Sequence, residues 1–229
     1  MHSALTALQQ GLGALSLDLS EEQQTQLLAY MDLIAKWTRV YNLTAVRDAD
    51  DMLTHHLLDS LAVIGPLRRE LASLASADAT GPRRLLDVGA GAGLPGVVIA
   101  IACPDVMVTC VDTVAKKAAF IQQVAATLKL SNLRGVHARV EKLTETYDVV
   151  CSRAFASLVD FTTWSKRALA PQGIWMAMKG KSPDQEQAAL PPSVRVFHVE
   201  PLQVPGLDAE RCIVSVSYTH LTLPTKRIV

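Results

Sequence analysis

A chain of 229 residues with 49% hydrophobic content can bury the core of one α/β domain plus a small accessory element. Its 22 basic and 22 acidic side chains cancel, which argues against tight non-specific nucleic-acid binding but leaves room for a local basic patch. No apolar run reaches bilayer length, and no charged run precedes an apolar one at the N-terminus. Cys103, Cys110, Cys151 and Cys212 lack metal-ligand spacing. The expectation is a cytoplasmic protein with reduced thiols, no metal and no membrane partner.

In chain order, residues 1–78 read as a helical extension. Ser20-Glu-Glu-Gln23 has the form of a capping box, and Leu27, Leu28, Met31, Ile34 and Ala35 follow at helical spacing. That helix is expected to end near Trp37, with Tyr41-Asn-Leu-Thr44 breaking the pattern. Asp48 or Asp50 can cap a further helix through Met52, His56, Leu57 and Ile64. Ser73 to Arg84 has linker composition.

Residues 79–216 change character. Strand-like runs (Arg84–Val88, Val106–Val111, Val136–Ala138, Tyr147–Cys151, Ile174–Met178) alternate with helical ones (Pro95–Ala102, Thr113–Leu130, Ser157–Leu169). Val194–Val199 and Cys212–Val216 supply two final strands. This alternation predicts a doubly wound, Rossmann-like α/β fold with a largely parallel sheet.

The first β-α turn, Asp87-Val-Gly-Ala-Gly-Ala-Gly-Leu-Pro-Gly96, marks the ligand end of such a sheet. Gly91-Ala-Gly93-Leu-Pro-Gly96 satisfies the dinucleotide pattern G-x-G-x-x-G, which alone is weak. Asp112, ending the second strand, suits a ribose hydroxyl pair in either cofactor class. Asp87 discriminates between them: a carboxylate there opposes a pyrophosphate and favours an ammonium. S-adenosylmethionine carries an ammonium, a carboxylate and a ribose without phosphate. The bare amides of the turn are expected to take its carboxylate, and Asp87 its ammonium directly or through water.

The chain also resembles a known family, the small-subunit ribosomal RNA methyltransferase G family. The shared motifs are Lys36-Trp37, Tyr41-Asn42-Leu43-Thr44, His56-Leu-Leu-Asp59-Ser60, the Asp87–Gly96 turn, Arg139-Val140-Glu141, Ser152-Arg153-Ala154-Phe155-Ala156-Ser157, Lys179-Gly180 and Glu210-Arg211. The resemblance implies a seven-stranded S-adenosylmethionine-dependent methyltransferase fold with an N-terminal helical extension. It implies methyl transfer to N7 of one guanine in the decoding-region stem-loop of 16S rRNA, and cofactor contacts at Gly89, Leu94, Val140, Glu141 and Arg153. Asp87 and Asp112 join that set from charge and position alone. The partner is then 16S rRNA or the 30S subunit, and a monomer is expected.

N7 of guanine is an acceptor without a proton, so no general base and no catalytic acid–base pair is expected. Arg153 ends the fourth strand and is expected to bridge cofactor and substrate. Lys179 and Arg211 are candidate RNA-phosphate contacts. Arg68-Arg69, Arg83-Arg84, Lys116-Lys117 and Lys166-Arg167 read mainly as solvated faces. His56 reads as a buried histidine bonded to Asp59 or backbone, and Trp37 and Tyr41 as core packing with base stacking as the alternative. Residues 217–229 depart from the family's ending and are set aside as a non-native tail. A methyltransferase of small molecules or proteins, a dinucleotide-dependent oxidoreductase and a non-catalytic RNA-binding module stay open as competing readings.

Overall fold

The computed structural model describes residues 2–41, 43–44, 46, 48–74, 81–153, 155 and 157–219, without the side chains of 2, 49 and 50. Asn42, the side chain of Asp50, residues 75–80 of the expected linker, Ala154, Ala156 and residues 220–229 of the expected tail lie outside them.

Helix α1 (His2–Ala14) precedes α2 (Glu21–Tyr41). The capping box forms: Ser20 Oγ accepts the Gln23 amide at 3.2 Å and Gln23 Oε1 accepts the Ser20 amide at 2.9 Å. Leu27, Tyr30, Met31, Ile34 and Thr38 are the buried stripe of α2, at the spacing of one helix face. The stripe carries α2 four residues past Trp37, because Thr38 is still buried. Asp48 supplies the next cap, its Oδ1 accepting the Asp51 amide at 3.3 Å. After α3 (Ala49–Met52) the chain widens into a π-helical segment, Leu53–Leu58, before α4 (Asp59–Leu61) and α5 (Ile64–Ser73).

The sheet comprises β1 (Arg83–Val88), β2 (Val106–Asp112), β3 (Leu133–His137), β4 (Tyr147–Ser152), β5 (Leu169–Lys179), β6 (Val194–Pro201) and β7 (Cys212–Tyr218). Its seven strands run in the order β3-β2-β1-β4-β5-β7-β6, all parallel except β7, which is antiparallel to both its neighbours. Central strands are buried on both faces, which accounts for their continuous apolar runs. Leu85, Val108, Val149 and Met176 face one apolar layer, which also takes in Leu27, Ile34, Leu57, Leu61 and Leu67 of the extension. Leu86, Val88, Val150, Trp175 and Val214 face the other.

Helices α6 (Gly96–Ala102) and α7 (Ala115–Thr127) cover the first layer with α2, and α8 (Leu158–Ser165) covers the second. A short α9 (Asp184–Ala188) follows β5. Gln23 Nε2 donates to the Ile101 carbonyl at 2.8 Å and Gln26 Nε2 to that of Leu128 at 3.1 Å, tying α2 to both neighbours.

β7 continues two residues past Val216: Ser217 pairs with Ile174 and Arg195, and Tyr218 with Val194. No helix among the described residues is long and apolar enough to cross a membrane.

Candidate functional site

A cleft of ≈ 800 Å³ opens at the carboxyl ends of β1 and β2, lined by Gly89, Asp112, Lys117, Val140, Glu141 and the aromatics Phe155 and Trp164 among others. Chain reversal at the end of β1 makes the first wall. Gly89 has φ +68°, a left-handed conformation that a side chain would strain. Asp112 ends β2 at the cleft. A tight 3₁₀ turn, Val140–Lys142, brings Val140 and Glu141 to the same cleft after β3. Four expected cofactor residues, Gly89, Asp112, Val140 and Glu141, are therefore brought together.

Asp112 already accepts two backbone amides, Gly91 on Oδ2 at 3.0 Å and Val114 on Oδ1 at 2.8 Å, with Lys117 Nζ at 3.8 Å. Each carboxylate oxygen has a second lone pair, so the group is held rigidly with acceptor capacity left for a diol. Phe155 and Trp164 meet edge to face at 5.4 Å between centroids, and Trp164 is 45% exposed. This aromatic corner was not legible as a cleft wall, although Phe155 stands two residues after Arg153.

The glycine turn differs from expectation in one respect. Five of its amides are engaged within the turn and its neighbours: Gly89 and Ala90 donate to Val111 O, Gly91 to Asp112, and Gly93 and Leu94 to Ala90 O. They do not form a free anion nest. Leu94 is buried in the core, outside the cleft lining.

Asp87 is likewise outside the lining and fully buried. On its strand it faces the layer beneath α6, where its Oδ2 accepts the Gly96 amide at 2.9 Å. A carboxylate under the first turn of a helix is favourably placed. Its Oδ1 has no hydrogen-bond partner. Burial pushes the Asp87 carboxyl up to about 7, against the lowering influence of the Gly96 amide and Arg153. A Cβ on Gly96 would lie 2.4 Å from Cys110 Sγ and 2.9 Å from Asp87 Oδ2, so only glycine permits this approach. Burial, and then the Asp87 charge, raise the Cys151 thiol well above its ordinary range.

Tyr30 reaches the turn from α2. Its buried hydroxyl donates to the Ala92 carbonyl at 2.6 Å. Burial holds that phenol protonated, far above its usual range.

Arg153 follows β4 directly; it is not among the residues lining the cleft and reaches toward the π-helical segment. Its Nη1 donates to the His55 carbonyl at 3.0 Å and to Asp59 Oδ2 at 3.2 Å. Arg211 Nε donates to the other Asp59 oxygen at 2.9 Å. Two expected site residues thus meet on one carboxylate. His56 is buried, and its Nε2 bonds Thr44 Oγ1 at 2.8 Å rather than Asp59. Burial and then Arg153 lower its imidazole pKa, and its Nδ1 has no partner.

Lys179 is drawn inward, 12% exposed at the side chain, with its ammonium 2.9 and 3.1 Å from the Glu186 carboxylate. Arg68 donates to Ala102 O, Arg69 pairs with Glu200, Arg83 with Asp148 and Arg84 with Glu145. These basic pairs therefore serve intramolecular contacts. Trp37 packs on Phe120 at 5.2 Å between ring centroids, while Tyr41 is 47% exposed under Lys116.

Comparison with known proteins converges on one group. The model of a family described as rRNA small subunit methyltransferase G matches residues 23–214. The ribosomal RNA small subunit methyltransferase G of Polaromonas sp. (strain JS666) is 68% identical over 210 residues, covering 90% of this chain and 90% of its own. That of Acidovorax sp. (strain JS42) is 66% identical over 208 residues, covering 90% and 92%. Among solved structures, TrmN from Thermus thermophilus is similar with a TM-score of 0.52 at 19% identity, over 72% of this chain and 53% of that one. At that identity the likeness concerns the fold alone.

Proposed function

The chain belongs to the rRNA small subunit methyltransferase G family, and from that premise we propose that it methylates N7 of one guanine in the decoding-region stem-loop of 16S rRNA. The observation that carries the reading is the convergence of Gly89, Asp112, Val140 and Glu141 on one cleft at the strand ends. S-adenosylmethionine, when bound, supplies an electrophilic sulfonium methyl. Asp112 offers acceptors for a ribose diol, and Val140, Phe155 and Trp164 offer apolar and aromatic faces for an adenine.

The chain's remaining task is positioning. N7 attacks with its own lone pair, so no side chain has to remove a proton. Orientation of two reactants can supply roughly 7–11 kcal/mol of barrier lowering in favourable cases. N7 faces the major groove, which is deep and narrow in A-form RNA, so the target guanine sits in a loop or leaves its stack. Arg153 orients cofactor and substrate from the end of β4, and Arg211 meets RNA phosphate. Lys179 takes part only by leaving Glu186. The substrate is 16S rRNA, free or within the 30S subunit, in the cytoplasm.

The test is transfer of labelled methyl from S-adenosylmethionine to 30S subunits lacking the modification, with the base mapped. Label at guanine N7 in the decoding region supports the proposal. Label in protein or at another position, or uptake of NAD with the methyl donor ignored, refutes it.

A further inference from the structure

Asp59 belongs to the helical extension yet sits at the carboxyl edge of the sheet. Its carboxylate is 4% exposed and holds Arg153 on one oxygen and Arg211 on the other. The two arginines come from β4 and from the residue before β7, which are separated in the sheet by β5. Asp59 therefore spans the end of β5 and keeps two like charges side by side. The π-helical segment leads into this contact: it ends immediately before Asp59, and its His55 carbonyl takes a second hydrogen bond from the same Arg153 nitrogen.

Each arginine uses only part of its fork. Arg153 engages Nη1 alone among the bonds described for it, and Arg211 engages Nε and Nη1. A guanidinium has five N–H donors in a rigid plane. Fixing one corner of that plane on a buried carboxylate fixes the direction of the others. Within this triad the pair of arginines exceeds the single carboxylate by one positive charge.

We infer that Asp59 is a positioning residue for methyl transfer, acting through Arg153. It aims the Arg153 guanidinium at the reacting groups while Arg211 braces its other oxygen. This rests on the reading above that Arg153 orients cofactor and substrate. A displacement of about 1 Å at such a group can slow a reaction by about 100-fold. Loss of the carboxylate is accordingly felt as a rate defect in a folded protein.

The test is a double-mutant cycle read by single-turnover transfer from S-adenosylmethionine to unmodified 30S subunits, with folding followed by urea unfolding. Arg153→Ala should slow transfer by about 100-fold and Asp59→Asn by about tenfold, with the double variant no slower than Arg153→Ala alone. Multiplied losses, or a wild-type rate from folded Asp59→Asn, overturn the inference. A wild-type rate from Arg153→Ala defeats the underlying reading, and the inference with it. Asp59→Asn leaves two guanidiniums around a neutral amide and can unfold the chain. The comparison then moves to the Arg211→Gln background, where the lost charge is already balanced. There Asp59→Asn/Arg211→Gln should transfer about tenfold more slowly than Arg211→Gln. Equal rates, or failure to fold in that background too, make Asp59 a folding element only and overturn the inference.

Discussion

Asp87→Asn isolates the buried carboxyl beneath α6. In the folded protein its pKa stands at about 7, raised from 3.8 chiefly by burial. Between these values the unfolded chain has released the proton and the folded chain has kept it. Stability then falls as pH rises, by about 1.4 kcal/mol per pH unit, or roughly 4 kcal/mol across the whole interval. The fall begins above the unfolded value and is complete above the folded one. Asparagine can still accept the Gly96 amide but has nothing to titrate. Its NH₂ takes the place of a partnerless oxygen, at a pH-independent cost of about 1–3 kcal/mol. Urea unfolding of the cofactor-free protein at pH 4 and pH 8, followed by tryptophan fluorescence, separates the two effects. The stability of the variant relative to wild type should move in its favour by about 4 kcal/mol from the lower pH to the higher. A movement under about 1 kcal/mol would refute the reasoning, because every other titrating group is common to both proteins.

Gly96→Ala should destabilise by about 1–3 kcal/mol or more in urea melts, since its Cβ would fall 2.4 Å from Cys110 Sγ. Adding Cys110→Ala should restore only part of this, because Asp87 Oδ2 still stands 2.9 Å away; full recovery would absolve Asp87. Tyr30→Phe leaves the Ala92 carbonyl without its buried donor, a cost of about 1–3 kcal/mol. It should also weaken S-adenosylmethionine uptake in calorimetry, and undiminished affinity would sever α2 from the cofactor turn. Arg211→Gln should lower the magnitude of the log K against log salt slope for RNA binding by about 1, whereas Lys179→Gln should leave it unchanged. A lower slope for Lys179→Gln would mean that its ammonium leaves Glu186 for phosphate.

Much of the fold was legible because it rests on local chemistry. The Ser20–Gln23 box involves residues three apart, and its two hydrogen bonds form as read. The β-α alternation reflects side-chain periodicity, and the strands follow it. What could not be read joins residues remote in the chain or breaks a period. The π-helical segment shifts the register of an otherwise ordinary amphipathic run. That shift turns His56 to Thr44 and Asp59 to arginines 94 and 152 positions away. Asp87 was readable as a carboxylate at the strand end, but which face of β1 it takes depends on the pleat. The pleat places it under α6 instead of in the cleft. The turn's amides looked available because glycine hides nothing in sequence; the partners of the first three, Val111 and Asp112, belong to the next strand.

The apolar layer shared between the N-terminal helices and the sheet makes the first 74 residues inseparable from the rest. Leu27, Ile34, Leu57, Leu61 and Leu67 pack in one continuous cluster with Leu85, Val108 and Met176. Cutting at the 75–80 segment would uncover the part of that layer shielded by α2 and the π-helical segment, leaving only α6 and α7 over it, and the remainder would clump in water instead of surviving as a smaller enzyme. Swapping this leading portion between relatives to redirect specificity would, for the same reason, require redesigning the interior along with it.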